Sequence, residues 1–548
     1  MGLFRRRRVD PDSSTVDDPW VLLRLNGYRG IAEMLDNDVA AGMLSDVDVA
    51  RLEWLIRSAA VDPQRLSELT NGIAAGAGSL WHESGQRDYP LAERSARHDV
   101  RHGLVRLGRV ARHPGNPLMA QEGENVLSLP HLATSVLVIG PPGSGKTRGI
   151  ACPITEALCL AALTGRASVV VLDVKGDDFR PRGEGDRFDM TVDLSNPGGG
   201  MGFDLYGSAA HPGEATDRLA SALLPNVSAD KQFFRDSAQN ALHEVLAPFH
   251  AAFDRYPTVA ELLTLLQPGG RRSPLRQSLR DRLHNRGRLE EYERLLERRE
   301  RSQPGRIDPA ASLYERVALL DRAHLHLLLD TKGPRLDLGA IDRPIRIRVA
   351  LNEGSYPEAS RILARLVVSQ FVQTVQRRPE GSGILSVLVV DEAGRYLDDY
   401  VASGLQRLRS RNAGLVLLTQ SIADLPIELR STILGSVGGK VVFGGVGPED
   451  AQWFADYFGK HERAEISLSA GTGASDSHTA GAFAGMGYLP ARQGRGAQQH
   501  QSMTTRQVEK YRWTPSEIGG LPTGHALVSL ALPDGTRTGA QLTSLREP

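Results

Sequence analysis

The most informative segment of the sequence is SVLVIGPPGSGKTRGI, residues 135–150. A short apolar run leads into eight residues that match the pattern GxxxxGK[ST], and a helical pattern begins near Arg148. The eight residues are Gly140, Pro141, Pro142, Gly143, Ser144, Gly145, Lys146 and Thr147. This order of strand, glycine-rich loop and helix predicts a phosphate-binding loop, in which Lys146 reaches the β and γ phosphates of a nucleotide and Thr147 binds Mg²⁺. The alternative, a chance glycine turn, is disfavoured by the strand and helix on either side.

The rest of the chain from residue 113 onward indicates an α/β protein. Short β-branched runs alternate with helical patterns, which is typical of a parallel sheet covered by helices. The runs span residues 135–139, 168–172, 345–351, 385–390, 414–419 and 440–443. Doubly wound sheets place ligands at the carboxyl ends of such strands, so the residues that follow the runs are the candidates for a site.

Two of these runs end in acidic residues. The run 385–390 is followed by Asp391 and Glu392, a pair that can divide the work between a Mg²⁺ ligand and a base that orients or deprotonates the attacking water. The run 168–172 ends at Asp173, for which we expect a place beside the nucleotide, shaping its pocket. Apolar strands often end in Asp, so an ordinary strand end is the alternative for either site, and Glu392 tips the balance towards catalysis at Asp391.

The run 414–419 is followed by Gln420, where a γ phosphate or the attacking water is expected. Before this run lie Arg407, Arg409 and Arg411, any of which could reach the phosphate of a neighbouring subunit as an arginine finger. The alternative for these arginines is a solvated helix face.

The pattern predicts four regions. Residues 1–112 form an N-terminal helical region, residues 113–211 the first part of a P-loop domain, residues 212–338 an all-α insertion, and residues 339–548 the second part. Residues 466–505 are rich in Gly, Ala, Ser and Gln and predict a mobile loop.

The composition of the 548 residues is globular, with 41% hydrophobic and 24% charged residues, and 65 basic residues balance 65 acidic ones. A nucleic-acid surface must therefore be local. The best candidate is the basic stretch 271–288, with Arg271, Arg272, Arg276, Arg280, Arg282, Arg286 and Arg288 against Asp281. A solvated surface is the alternative for this stretch. The N-terminus has no apolar stretch of signal-peptide type, and we expect no transmembrane anchor.

The motifs, taken in order, resemble those of the TraG-like family of conjugative coupling proteins, ATPases that feed DNA into type IV secretion channels. The resembling stretches are 140–147, 171–176, 203–206, 233–238, 391–393, 419–421, 440–445 and 517–522, and they lie within residues 130–532. The resemblance implies a RecA-like P-loop ATPase domain with a mostly parallel sheet and an all-α domain at the mouth of a hexameric ring. It also implies ATP and Mg²⁺ as cofactors, DNA or nucleoprotein as substrate, and secretion-channel proteins as membrane partners. Many members carry N-terminal transmembrane helices, which this sequence replaces with a helical region, so we expect a cytoplasmic protein that reaches the membrane through a partner.

Carried over to this sequence, the resemblance implies that Asp391 holds the metal, that Glu392 acts on water and that Gln420 senses the γ phosphate. Arg409 is the best match to the arginine finger that acts between subunits. Arg411 is the alternative finger, because the run 409–412 also resembles the sequence of related secretion ATPases.

Three functions remain open. The chain is a DNA motor, or an ATPase that loads proteins or drives assembly of a secretion apparatus, or a nucleotide-binding adaptor without motor activity. The complete set Lys146, Thr147, Asp391 and Glu392 argues against the adaptor.

Overall fold

The computed structural model describes residues 18–89, 94–117, 123–179, 187–207, 209–224, 232–267, 273–300, 311–473, 498–532 and 534–545. The strands are β1 (Leu104–Val110), β2 (Glu124–Ser128), β3 (Val136–Ile139), β4 (Ala167–Asp173), β5 (Met190–Asp193), β6 (Gly202–Phe203), β7 (Arg335–Leu336), β8 (Arg346–Ala350), β9 (Leu385–Val390), β10 (Ala413–Thr419), β11 (Gly439–Phe443), β12 (Lys460–Gly473), β13 (Gln498–Tyr511), β14 (His525–Ser529) and β15 (Gln541–Leu545).

The helices are α1 (Val21–Leu25), α2 (Arg29–Ala40), α3 (Asp46–Ala59), α4 (Pro63–Ala74), α5 (Leu129–Leu132), α6 (Cys152–Leu163), α7 (Pro212–Leu223), α8 (Gln232–Phe253), α9 (Val259–Leu266), α10 (Pro274–Asn285), α11 (Leu289–Glu300), α12 (Ala311–Ala318), α13 (Ala323–Leu329), α14 (Pro357–Gln376), α15 (Asp399–Leu408), α16 (Arg430–Ser436), α17 (Pro448–Phe458) and α18 (Pro515–Gly519).

Within the described ranges, eleven strands form one sheet in the order β2-β1-β15-β14-β11-β3-β10-β9-β4-β8-β5. The strands from β11 to β5 are parallel, and β14, β15, β1 and β2 continue the sheet in antiparallel pairs. The six strands expected from the sequence are β3, β4, β8, β9, β10 and β11, each within one residue of its expected ends. The prediction of a mostly parallel α/β sheet is confirmed.

Both faces of the parallel strands are buried, which explains why these strands are continuously apolar. In β3, Leu137 and Ile139 join one hydrophobic core, whereas Val136 and Val138 join the other. Helices α14 and α15 pack on the first face and α6 packs on the second. Helices α7 to α10 contribute to the first core, so the helical insertion is packed against the sheet domain.

The N-terminal helices α1–α4 enclose a small core of their own around Trp20, Leu23 and Leu52. The prediction of a helical region up to residue 112 is wrong for residues 104–110, which form β1. In β1 the buried Val105 and Leu107 flank the less buried Arg106, a period-two pattern that suits a strand between β2 and β15.

The expected loop 466–505 is also partly strand. Strands β12 and β13 form a two-stranded antiparallel ribbon that pairs Lys460 with Tyr511 at one end and Gly473 with Gln498 at the other. Ladder hydrogen bonds of the backbone stabilise this ribbon despite its low apolar content. Residues 474–497 of the expected loop lie outside the described residues.

Candidate nucleotide-binding site

Four adjacent parallel strands bring the predicted site residues other than Arg409 to one edge of the sheet. In the order β3-β10-β9-β4, their carboxyl ends carry the phosphate-binding loop, Gln420, the pair Asp391 and Glu392, and Asp173. The Gly140 amide donates to the carbonyl of the last residue of β10 at 3.2 Å, which joins the loop to that strand. This edge is where open α/β sheets bind ligands.

The phosphate-binding loop, residues 140–147, has glycines where side chains do not fit. Gly143 and Gly145 have φ angles of +76° and +99°, in the left-handed region that favours glycine. A Cβ atom on Gly140 would lie 2.6 Å from Ser144 Oγ and 2.8 Å from Phe443 Cβ. The loop then enters a π-helical turn, Thr147–Ala151, ahead of α6. Its tight course is the one that a phosphate cradle requires.

Polar groups in this loop lack partners that an anion would supply. Ser144 Oγ is buried without a hydrogen-bond partner among the described residues. Lys146 is 6% exposed, and burial lowers the pKa of its ammonium group, an effect that Glu392 and Asp391 partly offset. A bound phosphate would compensate the buried charge, so these residues fit a nucleotide.

Asp391, at the end of β9, is a buried carboxylate that faces a cation. It is 1% exposed, and its Oδ2 lies 3.4 Å from Lys175 Nζ, which also lies 3.1 Å from Asp178 Oδ2. Burial raises the pKa of Asp391, and Lys175 opposes that rise. The carboxylate of Asp391 and the hydroxyl of Thr147 are oxygen ligands of the kind that Mg²⁺ prefers, so the donor set fits this ion.

Glu392 and Gln420 are already paired. Gln420 Nε2 lies 3.1 Å from both Oε1 and Oε2 of Glu392. Glu392 has a φ of 52° and a ψ of 41°, a left-handed conformation that costs a non-glycine residue on the order of 1–3 kcal/mol. The backbone N–H of Gln420 donates to Asp424 Oδ2 at 3.2 Å. A carboxylate that sits on a strained backbone, and that a carboxamide holds in place beside the phosphate-binding loop, is suited to orienting water.

Sequence reasoning missed Glu353, which holds the turn that follows Glu392. Its carboxylate accepts from Arg395 Nη1 and from the Tyr396 hydroxyl, each at 3.0 Å. These two residues end and follow the 3₁₀ turn Ala393–Arg395, which begins next to Glu392. The rule that found Asp391, polar residues after a strand, could have found Glu353, because it follows the run 345–351.

Asp173 lies at the same edge, but its carboxylate is already occupied by protein groups. The residue is fully buried, and it accepts from Arg348 Nη2 at 2.8 Å and from the Gly176 amide at 2.9 Å. These contacts fix the loop after β4, which carries Lys175. Direct contact of Asp173 with a nucleotide stays a prediction, and the geometry supports an indirect effect on the pocket.

Arg409 lies at the opposite edge of the sheet, because the 3₁₀ turn Arg409–Arg411 precedes the amino end of β10. Its guanidinium group is exposed and makes no hydrogen bond within the described residues, and it lines a cleft of about 510 Å³ with Arg537. Arg411 differs, since its Nε donates to the Arg378 carbonyl at 3.0 Å. Of the two, Arg409 is the one available to another copy of the chain.

The predicted nucleic-acid contact at residues 271–288 is wrong for Arg276. This side chain is 5% exposed and donates to carbonyls at the carboxyl end of α9. Arg280, Arg286 and Arg288 form ion pairs with carboxylates at 3.2, 2.8 and 2.9 Å. Residues 271 and 272 lie outside the described residues. Arg276 therefore caps the end of α9, and Arg280, Arg286 and Arg288 neutralise acids of the insertion itself.

Comparison with solved structures shows the fold to be that of a bacterial conjugative coupling protein. The unbound protein TrwBdeltaN70 matches with a TM-score of 0.53 and 15% sequence identity, over 80% of this chain and 89% of that one. TrwB in complex with the GTP analogue GDPNP matches with a TM-score of 0.53 and 15% identity, over 80% and 90% of the two chains. TrwB in complex with the ATP analogue ADPNP matches with a TM-score of 0.51 and 16% identity, over the same shares. No protein-family model and no curated protein sequence matches the chain.

These matches confirm the coupling-protein fold and the RecA-like α/β class that the sequence motifs indicated. Among the described residues, no helix is both long and apolar enough to cross a membrane.

Proposed function

We propose that the chain is an ATP-hydrolysing motor of the conjugative coupling-protein type, which works as an oligomer and delivers DNA or nucleoprotein to a type IV secretion channel. One observation carries this proposal: in a coupling-protein fold, the phosphate-binding loop, Asp391, and the Glu392–Gln420 pair stand side by side at one sheet edge. Solved TrwB holds an ATP analogue and, in another structure, a GTP analogue, which supports a nucleoside triphosphate as the ligand, and we propose that it is ATP.

The residues divide the reaction among them. Lys146 neutralises phosphate charge, and Thr147 and Asp391 would hold Mg²⁺, which would draw off the charge that develops on the phosphates. Glu392 accepts a proton from the water whose oxygen bonds to the γ phosphorus, while the bond from that phosphorus to the ADP oxygen breaks. Gln420 keeps the Glu392 carboxylate in place and donates to the γ phosphate.

The position of Arg409 supports an oligomer. This residue lies at the amino edge of the sheet, away from its own phosphate-binding loop. When copies assemble with the amino edge of one against the carboxyl edge of the next, Arg409 reaches the neighbour's γ phosphate as an arginine finger. A hexameric ring is the assembly that the resemblance implies.

Mixing inactive variants tests this assembly. Chains with Arg409→Ala and chains with Glu392→Gln should each be inactive alone, and mixed rings should contain interfaces with both wild-type residues. We expect ATPase activity to return on mixing. If the chains co-assemble and activity stays absent, Arg409 is not the finger.

A protein substrate is the second candidate, as an engine that loads proteins or assembles a secretion apparatus. The burial of Arg276 and the ion pairs of Arg280 and Arg286 favour keeping it, because they weaken the case for a DNA contact at residues 271–288. The paired Glu392 and Gln420 disfavour a nucleotide-binding adaptor that does not hydrolyse ATP.

ATPase assays with and without DNA separate these functions. The purified chain should hydrolyse ATP faster when single- or double-stranded DNA is added, with Lys146→Ala as the control for contaminating ATPases. Hydrolysis that DNA does not change would favour a protein substrate, and no hydrolysis under any condition would contradict both motors.

A further inference from the structure

Lys175 is a charged residue of the site to which the reaction above gives no role. It lies in the loop after β4, and its Nζ atom bridges two carboxylates, Asp391 Oδ2 at 3.4 Å and Asp178 Oδ2 at 3.1 Å. The two partners differ in exposure, because the side chain of Asp391 is 1% exposed and that of Asp178 is 33% exposed. The ammonium group thus covers the buried carboxylate from the solvent side.

The backbone near Lys175 is fixed, whereas its side chain is free to move. Asp173 accepts from the Gly176 amide at 2.9 Å and pairs with the buried Arg348. The Lys175 side chain is 56% exposed and flexible along its four methylene groups. The ammonium group can therefore leave Asp391 and remain on Asp178 without any change in the loop.

We propose that Lys175 is a resident cation of the metal site, which pairs with Asp391 in the nucleotide-free chain and is displaced onto Asp178 when Mg²⁺ and nucleotide bind. This inference rests on the proposed nucleotide site. A divalent ion on Asp391 repels an ammonium group a few ångströms away, and Asp178 offers that group a second carboxylate. Lys175 lowers the affinity of the site for Mg²⁺ and compensates the buried charge of Asp391 while the site is empty.

Substitutions of Lys175 and of Asp178 should change the Mg²⁺ concentration needed for binding in opposite directions. Lys175→Met removes the competing cation, so the Mg²⁺ concentration that half-saturates binding of a fluorescent ADP analogue should fall about fivefold, the upper end of the range for exposed ion pairs. Asp178→Asn removes the alternative partner, so the same concentration should rise. Lys175→Arg keeps the charge and should behave like the wild-type chain.

A double variant separates competition from a general field effect. If Asp178 acts through Lys175, Asp178→Asn has no further effect in the Lys175→Met background. If Asp178 only attracts Mg²⁺ from a distance, its loss weakens Mg²⁺ binding equally in both backgrounds, and that result overturns the proposal.

Acylation of lysine side chains measures the displacement of Lys175 from Asp391 directly. The chain has seven lysines, so mass spectrometry can follow each one separately. On addition of Mg²⁺ and ADP, acylation of Lys175 should rise, because pairing with carboxylates protects the amine and one partner is lost, while acylation of Lys146 should fall under the bound phosphates. Lys332, outside the site, is the control.

The outcomes distinguish this inference from the proposed function. If the wild-type chain binds no Mg²⁺ and ADP, the nucleotide site and the role of Lys175 both fail. If it binds them, a lower Mg²⁺ requirement in Lys175→Met together with a rise in Lys175 acylation supports the displacement. Unchanged Mg²⁺ dependence or unchanged acylation of Lys175 overturns the inference and leaves the nucleotide site standing.

Discussion

Removing the carboxylate of Asp173 should open the sheet locally, because that carboxylate forms a buried ion pair. In Asp173→Ala, the guanidinium group of Arg348, on a residue only 5% exposed, loses the partner at 2.8 Å, and the Gly176 amide loses its acceptor. Removal of one partner of a buried pair costs about 3–5 kcal/mol. Since every ~1.4 kcal/mol is a factor of ten, amide exchange that proceeds by this opening should speed up by about 100-fold or more.

Hydrogen–deuterium exchange with mass spectrometry measures this effect in peptides that cover β4, β8 and residues 174–179. The double variant Asp173→Ala with Arg348→Met removes the unpaired charge, so it should exchange more slowly than Asp173→Ala alone. Glu291→Ala, which breaks the exposed pair with Arg288, should change exchange by less than about fivefold. A double variant that exchanges faster than Asp173→Ala would contradict a buried ion pair as the cause, because independent contacts would then add.

Gly145→Ala should weaken binding of a fluorescent ADP analogue by about tenfold or more, because φ is +99° at this position and strain there is on the order of 1–3 kcal/mol. Gly447→Ala, whose Cβ meets open space, should bind like the wild-type chain. Equal binding by both variants would show that the loop tolerates a side chain at Gly145. Arg276→Glu places a carboxylate against buried carbonyls and should destabilise the helical insertion by about 3 kcal/mol or more, which limited proteolysis would detect as faster cleavage. Arg286→Glu changes an exposed residue and should be cleaved at about the wild-type rate. Equal cleavage of the two variants would count against the capping role of Arg276. Burial lowers the pKa of Lys440 from 10.5 to about 8, so between those pH values the unfolded state binds more protons and the free energy of unfolding should rise with pH. Denaturation at pH 8 and pH 10 should show a smaller rise in the free energy of unfolding for Lys440→Met than for the wild-type chain. An equal rise in both would exclude Lys440 as its source.

The parallel strands were predictable because they are covered on both faces and therefore read as continuous apolar runs. The same runs identified Asp391, Glu392 and Gln420 as residues at strand ends, and strand order then brought them together. Strand β1 was missed because its alternation of buried and less buried residues is short. The β12–β13 ribbon was missed because backbone hydrogen bonds between strands do not require a pattern of apolar residues in the sequence.

Contacts between distant segments account for most of what the sequence did not reveal. The pairing of Lys175 with Asp391, and of Glu353 with Arg395, depends on how strands β4, β8 and β9 are ordered. The basic stretch containing Arg276 looked like an anion-binding face because the helix end that it caps is formed by residues earlier in the chain. The charge pattern of a sequence does not show which charged side chains are paired with other groups of the folded chain.

The most direct test of the proposed motor compares the wild-type chain with Glu392→Gln in paired measurements of ATP binding and ATP turnover. Glu392→Gln keeps the shape of the side chain and removes the base, so we expect ATP affinity close to that of the wild-type chain and turnover at least about 100-fold slower. Turnover by Glu392→Gln at the wild-type rate, with Lys146→Ala inactive as the control, would contradict the assignment of the β9 edge as the catalytic site.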